Sequence, residues 1–380
     1  MRILVLSDLP QFVRGGAEMQ AARLAGSWAR AGHEVRCLGR CMSGSEVVID
    51  GQRIAIARIP MINGLGRWVR GLSFFLSLGW LLLKHRAWAD VIYCRFLGEA
   101  ATTAAALKAL RLLSMPLVAT PANVGGTGDA MHLKSVIGWQ WIVGLLDRHV
   151  DAINLIAPDM VAELQSVGFS GANFQRIPNG IAVAPLFPTS HAQRRWIFVG
   201  RLTQQKAIDL LIEALSSLPM PEDAPDILII GDGPERERLI DKARTCAWRQ
   251  RLRFLGSLPP EEVPGLLATS ELFLLPSRYE GMSNAGLEAM ERGLPVMLSR
   301  CGGLDQYITS EHGWVVPVEN MSALRRALAE ALEAPPERLA EMGAACRRLV
   351  ETNFDMSSVA MRYLALFATL IARNTDGKQS

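Results

Sequence analysis

Short apolar runs rich in β-branched residues alternate with helical stretches along most of this 380-residue chain, and this alternation constrains the fold more than any other feature. Five runs predict the strands of one sheet, at residues 3–7, 34–38, 91–94, 117–120 and 152–156. The alternation restarts at residues 196–199 and continues to a short run at residues 314–316. Because strands joined by crossover helices form parallel sheets, we predict an α/β protein with two doubly wound domains.

The two series are separated by residues 177–190, IPNGIAVAPLFPTS, which are rich in Pro and in turn-forming residues. We interpret this segment as an interdomain linker, since a chain of this length holds about two domains. In open α/β sheets, ligands bind outside the carboxyl ends of the strands. We therefore expect both sheets to present those ends to one crevice.

The composition excludes several classes of protein. The six cysteines form no Cys-x-x-Cys pair, which is too few for a disulfide scaffold or a zinc site and suits a reducing cytosol. The start, MRILVLSD, lacks the long apolar region of a signal peptide, so a cytoplasmic protein is expected. Since the basic residues are not strongly clustered, no nucleic-acid partner is expected.

The first half of the chain is mildly basic. Residues 1–190 hold 18 Lys and Arg against 12 Asp and Glu, whereas residues 191–380 hold 22 against 25. Six of the nine tryptophans also precede residue 145. These features fit a surface that meets anionic lipid or a phosphate-bearing partner, and an ordinary solvated surface is the alternative.

The longest apolar stretch, GLSFFLSLGWLLL at residues 71–83, has basic residues on both sides. They are Arg67, Arg70, Lys84, His85 and Arg86. Thirteen residues rise about 20 Å as a helix, which is short of the roughly 30 Å of a hydrocarbon core. The stretch therefore predicts either a core helix or an interfacial helix on an anionic membrane surface, and residues 135–146 pose the same choice.

The first candidate binding motif is GRLTQQK, residues 200–206, directly after the predicted strand 196–199. Its two cations, Arg201 and Lys206, lie at the carboxyl end of a strand, where a ligand is expected. A planar guanidinium and a mobile ammonium together suit a diphosphate. Two solvated loop cations are the alternative.

The second candidate motif is EGMSNAGLE, residues 280–288, which also follows a predicted strand. Glu280 falls in the loop before a predicted helix, and Glu288 lies about one turn inside that helix. The amides from Met282 to Ala285 lie near the helix N-terminus, where N–H groups and the helix dipole favour an anion. A carboxylate on each side suits a ligand in which phosphate is joined to polyhydroxylated rings, because each can accept hydrogen bonds from hydroxyls. The alternative is that Glu280 and Glu288 are ordinary surface charges.

A third, weaker motif is Gly15-Gly16 after the first strand, where two glycines let the backbone approach an anion. GGAE lacks the third glycine of GxGxxG, which disfavours a nicotinamide site. The sequence also lacks DxD, GxxxxGK[ST], GxSxG and HExxH, and its six histidines are dispersed. Neither a metal site nor a cofactor is therefore expected.

In chain order, six segments resemble one family. They are GGAE (15–18), IPNG (177–180), FVGRLTQQK (198–206), IIGDGPER (229–236), LGSLP (255–259) and PSRYEGMSNAGLEAM followed by GLPV (276–296). Together they resemble the retaining glycosyltransferases of family 4, which have the GT-B fold of two Rossmann-like domains, and in particular bacterial exopolysaccharide- and lipopolysaccharide-type members. The resemblance implies an acceptor-side domain at residues 1–176, a linker, a nucleotide-sugar domain at residues 191–352, and a closing helix within residues 353–380 that crosses back to the first domain.

The resemblance also implies roles for the matching residues. Arg201 and Lys206 would bind the donor diphosphate and stabilise the leaving phosphate, Glu288 would hold ribose hydroxyls, and Glu280 would hold sugar hydroxyls. The other implied donor-binding positions are Gly15, Gly16, Gly200, Gly231, Gly233, Leu258, Gly281, Met282, Ser283 and Asn284.

The chain departs from the family pattern after the predicted strand 117–120. Many members carry there a His that contacts the transferred sugar, whereas this chain has TPANVGGTGD at residues 120–129. Asn123, Thr127 or Asp129 could take its polar role. We place Asp129 first among them, as a catalytic candidate, because a carboxylate can hold or deprotonate an acceptor hydroxyl.

The implied function is metal-independent transfer of a sugar from a nucleotide-diphosphate-sugar donor to a glycan or polyprenyl-linked acceptor in bacterial cell-surface polysaccharide synthesis. The leaving diphosphate would itself help to deprotonate the acceptor, which suits a chain with no evident nucleophile–base pair. The protein would be cytoplasmic or peripheral on the inner face of the plasma membrane. The alternatives are a non-catalytic sugar-nucleotide-binding protein and an epimerase or hydrolase on the same fold, although the latter two need an acid–base pair.

Overall fold

The computed structural model describes residues 1–13, 15–64, 66–185 and 194–376, and it divides the chain into two units. The side chains of Arg67, Thr127 and Asp376 also lie outside the described part. The first unit comprises Met1–Gly180 and the C-terminal segment from Met356, and the second comprises Ile181–Asp355. The boundary falls inside the linker predicted at residues 177–190, of which residues 186–190 lie outside the described part.

The first unit is built on an eight-stranded sheet. Its strands are β1 (Arg2–Leu6), β2 (Glu34–Gly39), β3 (Glu46–Ile49), β4 (Gln52–Arg58), β5 (Val91–Arg95), β6 (Leu117–Thr120), β7 (Ala152–Asn154) and β8 (Phe174–Gln175). They lie in the order β3-β4-β2-β1-β5-β6-β7-β8, and all neighbouring pairs are parallel except β3 and β4. The five predicted strands of the first half are present. The one predicted at residues 152–156 ends at Asn154, two residues early.

The antiparallel hairpin of β3 and β4 is absent from the sequence prediction. Its turn is Asp50-Gly51, and both residues have positive φ, at 49° and 78°. This geometry is that of a type I′ turn, for which Asp-Gly between two apolar runs is a strong signal. The hairpin was therefore readable in the sequence.

The helices of the first unit cover the sheet on both faces. They are α1 (Gly16–Arg30), α2 (Arg67–His85), α3 (Glu99–Ala109), α4 (Asp129–Lys134), α5 (Trp139–His149) and α6 (Met160–Ser166). Helix α3 packs against both α2 and α5. These three helices therefore form one layer.

Helix α2 contains the apolar stretch of residues 71–83 and extends beyond it at both ends. Phe74 and Leu78 belong to its buried face, whereas Trp68 and Trp80 are more than 60% exposed. The helix packs on the core with one side, as the first alternative predicts, while contact of its exposed apolar side with a membrane surface stays a prediction. In the described ranges, no helix is sufficiently long and apolar to cross a membrane.

The second unit has a six-stranded, fully parallel sheet. Its strands are β9 (Arg195–Val199), β10 (Asp226–Ile230), β11 (Leu252–Gly256), β12 (Leu272–Leu275), β13 (Val296–Ser299) and β14 (Gly313–Val316). The order β11-β10-β9-β12-β13-β14 is the 3-2-1-4-5-6 order of dinucleotide-binding sheets. Its helices are α7 (Ile208–Ser216), α8 (Arg236–Arg244), α9 (Val263–Ala268), α10 (Asn284–Glu291), α11 (Met321–Glu333) and α12 (Pro336–Asn353).

The last helix, α13 (Met356–Asp376), belongs to the first unit and packs against α1. The Trp28 indole N–H donates to the Ala360 carbonyl at 3.3 Å, and Phe367 meets the Trp28 ring edge-on with 5.3 Å between ring centroids. The Asn154 amide donates to the buried Tyr363 hydroxyl at 2.6 Å. Because α13 is part of this core, the first unit is completed by residues from the far end of the chain. Both units are α/β with parallel, doubly wound sheets, so the predicted fold class is confirmed.

Candidate functional site

Two loops at the carboxyl edge of the second sheet carry the two strongest sequence motifs. The loop after β9 contains Lys206, and the loop after β12 contains Glu280. The Lys206 ammonium forms an ion pair with the Glu280 carboxylate, and the Ser277 hydroxyl donates to Glu280 Oε2 at 3.3 Å. The two paired side chains are only 15% and 14% exposed. The structure thus brings together two of the predicted site residues, and it adds Ser277 to them.

The same two loops are held together by a set of hydrogen bonds that the sequence analysis missed. The Arg278 backbone N–H donates to the Gln205 carbonyl at 2.8 Å, and the Gln205 side chain donates to the Tyr279 carbonyl at 3.0 Å. The Arg278 guanidinium donates to both carboxylate oxygens of Asp209, at 3.1 and 3.0 Å. Hydrogen bonding to Asp209 raises the pKa of Arg278. The relative position of Lys206 and Glu280 is therefore set by the protein itself.

Helix α10 begins beside Glu280. Gly281, Met282 and Ser283 are buried, Asn284 is half-buried, and the Ser283 hydroxyl caps the helix by accepting the N–H three residues on at 3.1 Å. Glu288 is half-buried in the second turn of the helix. The predicted anion-binding segment thus forms the N-terminus of a helix, with one carboxylate on each side along the chain.

A further loop braces the Glu280 segment from the neighbouring strand β13. A Cβ atom at Gly303 would lie 1.5 Å from the Gly281 carbonyl oxygen, so only glycine permits this close packing. The Cys301 thiol donates to the Ser277 carbonyl at 3.0 Å. Burial raises the pKa of Cys301 to about 12, so this thiol is protonated at neutral pH and does not serve as a nucleophile.

The glycines after β10 contact the loop after β9. A Cβ atom at Gly231 would lie 1.9 Å from the Gly200 carbonyl oxygen, and one at Gly233 would lie 2.3 Å from that of Leu202. These glycines therefore have a structural requirement that is independent of any ligand. Leu258, which follows β11, is half-buried.

Arg201 differs from the other predicted cation. It is exposed, and across residues 1–13, 15–64, 66–185 and 194–376 its guanidinium has no hydrogen bond or ion pair. It follows β9 by two residues and stands five residues before Lys206. The loop thus holds one cation paired with Glu280 and one that is unengaged.

In the first unit, Gly15 and Gly16 are exposed at the start of α1. A Cβ atom at Gly15 would lie 2.1 Å from Glu18 Oε2, so the space beside this glycine is occupied by the Glu18 carboxylate. The carboxylate lies in the first turn of α1, where the helix dipole favours it.

Asp129 is buried, and backbone amides occupy both of its carboxylate oxygens. The Leu97 N–H donates to Oδ1 at 2.8 Å, and the Ala122 N–H donates to Oδ2 at 2.9 Å, with a third, longer bond from the Asn123 N–H at 3.4 Å. Burial raises the pKa of Asp129, and these hydrogen bonds act in the opposite direction. Asp129 therefore joins the loop after β5 to the loop after β6. Its catalytic role stays a prediction, as does that of Asn123, while the Thr127 side chain lies outside the described part.

A pocket of about 420 Å³ opens beside Asp129, at the carboxyl ends of β1, β2 and β5. The sequence analysis did not predict it. Four basic side chains contribute to its lining: Arg40, Arg70, Arg95 and His132. Asn123 and Asp129 also line it. A signal was present in the sequence, because Asp8 and Arg95 each directly follow a predicted strand, at positions where ligands bind.

Two family models match the chain, one in each half. The model for glycosyl transferases group 1 matches residues 188–348, and that for the glycosyl transferase 4-like domain matches residues 15–180. Among curated proteins, glycogen synthase from Mycobacterium tuberculosis is 29% identical over 399 aligned positions, which cover 95% of this chain and 92% of that protein. A GDP-mannose-dependent phosphatidylinositol monomannoside mannosyltransferase from Corynebacterium glutamicum is 26% identical over 60% of this chain and 66% of its own length.

Solved structures share the fold at lower sequence identity. Sucrose-phosphate synthase from Thermosynechococcus elongatus superposes with a TM-score of 0.79 at 19% identity, covering 98% of this chain and 100% of that one. The Anabaena protein HepE in complex with UDP superposes with a TM-score of 0.76 at 17% identity, covering 97% and 100%. These likenesses agree with the architecture of the two sheets.

Proposed function

This chain belongs to the GT-B glycosyltransferases of the family 4 type, and we propose that it transfers a sugar from a nucleotide-diphosphate-sugar donor to a glycan or lipid-linked acceptor with retention of anomeric configuration. We place this reaction in bacterial cell-surface polysaccharide synthesis. The proposal rests first on the family, whose members are transferases of the EC 2.4 type. Its second support is the pairing of Lys206 with Glu280.

In this proposal, a residue that would bind phosphate stands next to one that would bind sugar hydroxyls. Lys206 and Arg201 would bind the donor diphosphate, and Glu280 would accept hydrogen bonds from hydroxyls of the sugar. Because Lys206 and Glu280 are in contact, the donor phosphate and the donor sugar would bind next to each other. The bond between the anomeric carbon and the phosphate oxygen would then lie beside both residues. Glu288, further along α10, would accept the ribose hydroxyls.

The chemistry then needs no protein nucleophile. The bond between the anomeric carbon and the diphosphate oxygen breaks, and the acceptor oxygen bonds to the same face of the anomeric carbon. The acceptor proton passes to the departing phosphate oxygen. Negative charge grows on that phosphate as the bond breaks, so Lys206 and Arg201 stabilise the transition state more than the ground state. Two cations fulfil the role that a divalent metal ion plays in other transferases, and on this ground we propose that the reaction is metal-independent.

We further propose that the protein attaches peripherally to the cytoplasmic face of a membrane. Apolar side chains are exposed along α2 at Trp68, Leu72, Leu76 and Trp80, and Lys84 Nζ lies 5.3 Å from the centroid of the Trp80 ring. Basic and aromatic side chains on an otherwise apolar helix face are typical of interfacial helices.

The neighbouring helices extend this surface and connect it to the pocket. Helix α5 packs against α3, as α2 does, and its Trp141 is 86% exposed. The exposed Arg70 and the buried Phe74 of α2 both contribute to the lining of the pocket. A lipid-linked acceptor held at the α2 surface would therefore have its headgroup close to that pocket.

Four outcomes of one assay separate the candidate functions. The full chain is incubated with UDP-glucose, UDP-N-acetylglucosamine or GDP-mannose, with and without an undecaprenyl diphosphate-linked sugar, and the released nucleotide is measured. A transferase releases nucleotide in proportion to the acceptor and yields an α-linked product from an α-configured donor by NMR. Release without acceptor identifies a hydrolase, conversion of the donor sugar identifies an epimerase, and binding without conversion identifies a non-catalytic protein.

A further inference from the structure

Arg95 is a buried cation that forms no ion pair in the described part of the chain, although the Asp129 carboxylate interacts with it at longer range. It ends β5, is 4% exposed, and contributes to the lining of the 420 Å³ pocket in the first unit. Its Nη2 donates to the Asn179 Oδ1 at 3.4 Å, whereas its Nε and Nη1 have no hydrogen-bond partner in the described ranges. Among the described carboxylates, none lies within ion-pair distance of Arg95.

Most of the carboxylates that line this pocket already have ion-pair or hydrogen-bond partners other than Arg95. Asp8 accepts the Cys41 N–H at 2.8 Å and lies 3.7 Å from Arg40, which is also 3.6 Å from Glu99. Asp129 is occupied by backbone amides. The fourth carboxylate, Glu18, lies in the first turn of α1. Arg40 therefore has two ion-pair partners within the pocket, whereas Arg95 faces only the more distant charge of Asp129.

Two more basic side chains border the same space. Arg70 from α2 and His132 from α4 are exposed, and within the part of the chain that the structure describes neither side chain forms a hydrogen bond or an ion pair. Burial of a charge is costly when the hydration it has lost is only partly replaced, as at Arg95 with one long hydrogen bond and a distant carboxylate. An anionic ligand in the pocket would remove that cost at Arg95 and would also meet the two cations at the rim.

We propose that this pocket binds an oxyanion carried by the acceptor, a phosphate or a carboxylate, with Arg95 as its principal ligand. The planar guanidinium offers two parallel N–H donors, which match the oxygens of either group. This inference rests on the proposed function, since it takes the pocket as the acceptor side of a sugar transferase. It adds to that function the statement that the acceptor carries a negative charge near the hydroxyl that reacts.

The test compares charged and neutral probes on the full chain by isothermal titration calorimetry. The soluble probes are glucose, glucose 6-phosphate and glucuronate, and the lipid probe is undecaprenyl phosphate in phosphatidylcholine vesicles, with plain vesicles as its reference. At least one anionic probe is expected to bind about tenfold more tightly than its neutral reference, as a charge-assisted hydrogen bond provides. A soluble anion that binds places the charge on the acceptor sugar, and binding of the lipid probe alone places it on the carrier.

Variants assign that preference to one side chain. Arg95→Gln should abolish it and Arg95→Lys should retain part of it, whereas Arg53→Gln, at an exposed position outside the pocket lining, should leave it intact. Each variant is also titrated with UDP and GDP, whose binding to the second unit is expected to be unchanged, and thermal unfolding compared with the wild type shows that the first unit is folded.

Two results would overturn the inference: no preference for any anionic probe in the wild type, or an Arg95→Gln variant that keeps the preference. The wild-type comparison remains decisive even where a variant does not fold. Failure of the proposed function would be seen separately, as an absence of acceptor-dependent nucleotide release.

Discussion

Lys206 and Glu280 lie 74 residues apart in the sequence and form an ion pair at the carboxyl edge of the second sheet. Arg278 and Gln205 join the two loops that carry them, by backbone and side-chain hydrogen bonds of 2.8 and 3.0 Å. Because the loops are fixed in this way, the proposed donor would need little reorganisation of the protein beyond the exchange of one contact of Lys206 for a phosphate.

Neutralisation of the two carboxylates of the second motif should change different kinetic parameters, kcat for Glu280 and KM for Glu288. Glu280→Gln should lower kcat by about 100-fold with a small change in donor affinity, since Glu280 lies beside Lys206 at the proposed reacting sugar. Glu288→Gln should mainly raise KM for the donor, because a ribose contact is the same in the ground state and the transition state. Steady-state kinetics with varied donor measure both, and Glu262→Gln on the exposed surface is the control. Equal effects on KM alone from both changes would contradict these roles.

Activity should persist in excess EDTA. Arg201 and Lys206 provide two positive charges for the leaving diphosphate, so removal of divalent ions should change the initial rate less than twofold, which is about 0.4 kcal/mol on the barrier. Initial rates with and without EDTA check this. Loss of activity that Mg²⁺ or Mn²⁺ restores would show that the two cations do not suffice.

The fold class was predictable because it depends on local pattern. The strand runs and the intervening helices repeat along the chain, so the parallel α/β architecture and most element bounds could be inferred without knowledge of any contact. The hairpin at Asp50-Gly51 was equally local, and its turn signal was simply not used. Motif positions were predictable for the same reason, since the loops after β9 and β12 follow recognisable strands.

Contacts between distant segments could not be inferred in this way. The Arg278–Asp209 bonds and the packing of Gly303 on Gly281 depend on which strands are neighbours in the sheet, and sequence pattern does not encode that choice. The lack of hydrogen-bond partners at Arg95 Nε and Nη1 in the described ranges is a further example, because it depends on which groups the fold brings near this side chain. The exposed side of α2 likewise became visible only when its buried side was known.

A buried ion pair should dominate the stability of the second unit. The Arg347 guanidinium, 9% exposed, donates to Glu291 Oε1 at 2.9 Å and to the Ala184 carbonyl at 2.7 Å. Arg347→Met would remove this charge from Glu291 and leave its Oε1 with the Ala184 N–H at 2.9 Å and its Oε2 with Arg292 at 3.0 Å. We expect a loss of about 3 kcal/mol in the free energy of unfolding, measured by urea titration.

The matched control is Glu351→Gln, which removes the other carboxylate that Arg347 contacts. Glu351 is 47% exposed, so solvent already weakens this pair, and the change should cost less than about 1 kcal/mol. A comparable loss from both variants would mean that the burial of the Glu291 pair has no special weight.

The exposed face of α2 should bind anionic vesicles in a salt-dependent manner. Replacement of Leu76 and Trp80 by Ser should reduce binding by removing apolar contact, and replacement of Arg67, Arg70, Lys84 and Arg86 by Gln should reduce it by removing charge. Each basic residue near an anionic leaflet contributes roughly 1 kcal/mol, so the fourfold charge variant should release the protein. Vesicle sedimentation at increasing salt measures both effects, and Leu255→Ser, at an exposed apolar position of the second unit, is the control. A wild type that ignores anionic vesicles at low salt would exclude this surface as a membrane contact.

Asp129 should make the stability of the first unit depend on pH. Burial raises the pKa of its carboxyl above the ordinary value of 3.8, so between these two values the folded state holds a proton that the unfolded state has lost. The stabilising contribution is thus fully present below about pH 4 and is lost as the pH rises through the folded-state pKa. Asp129→Asn does not titrate, and it cannot accept both the Leu97 and the Ala122 N–H groups, so it should unfold at lower temperature than the wild type. The gap between their melting temperatures should be widest near pH 4 and should narrow as the pH rises, which calorimetry over a pH series measures. A gap that is constant with pH would show that the folded-state pKa of Asp129 is not raised.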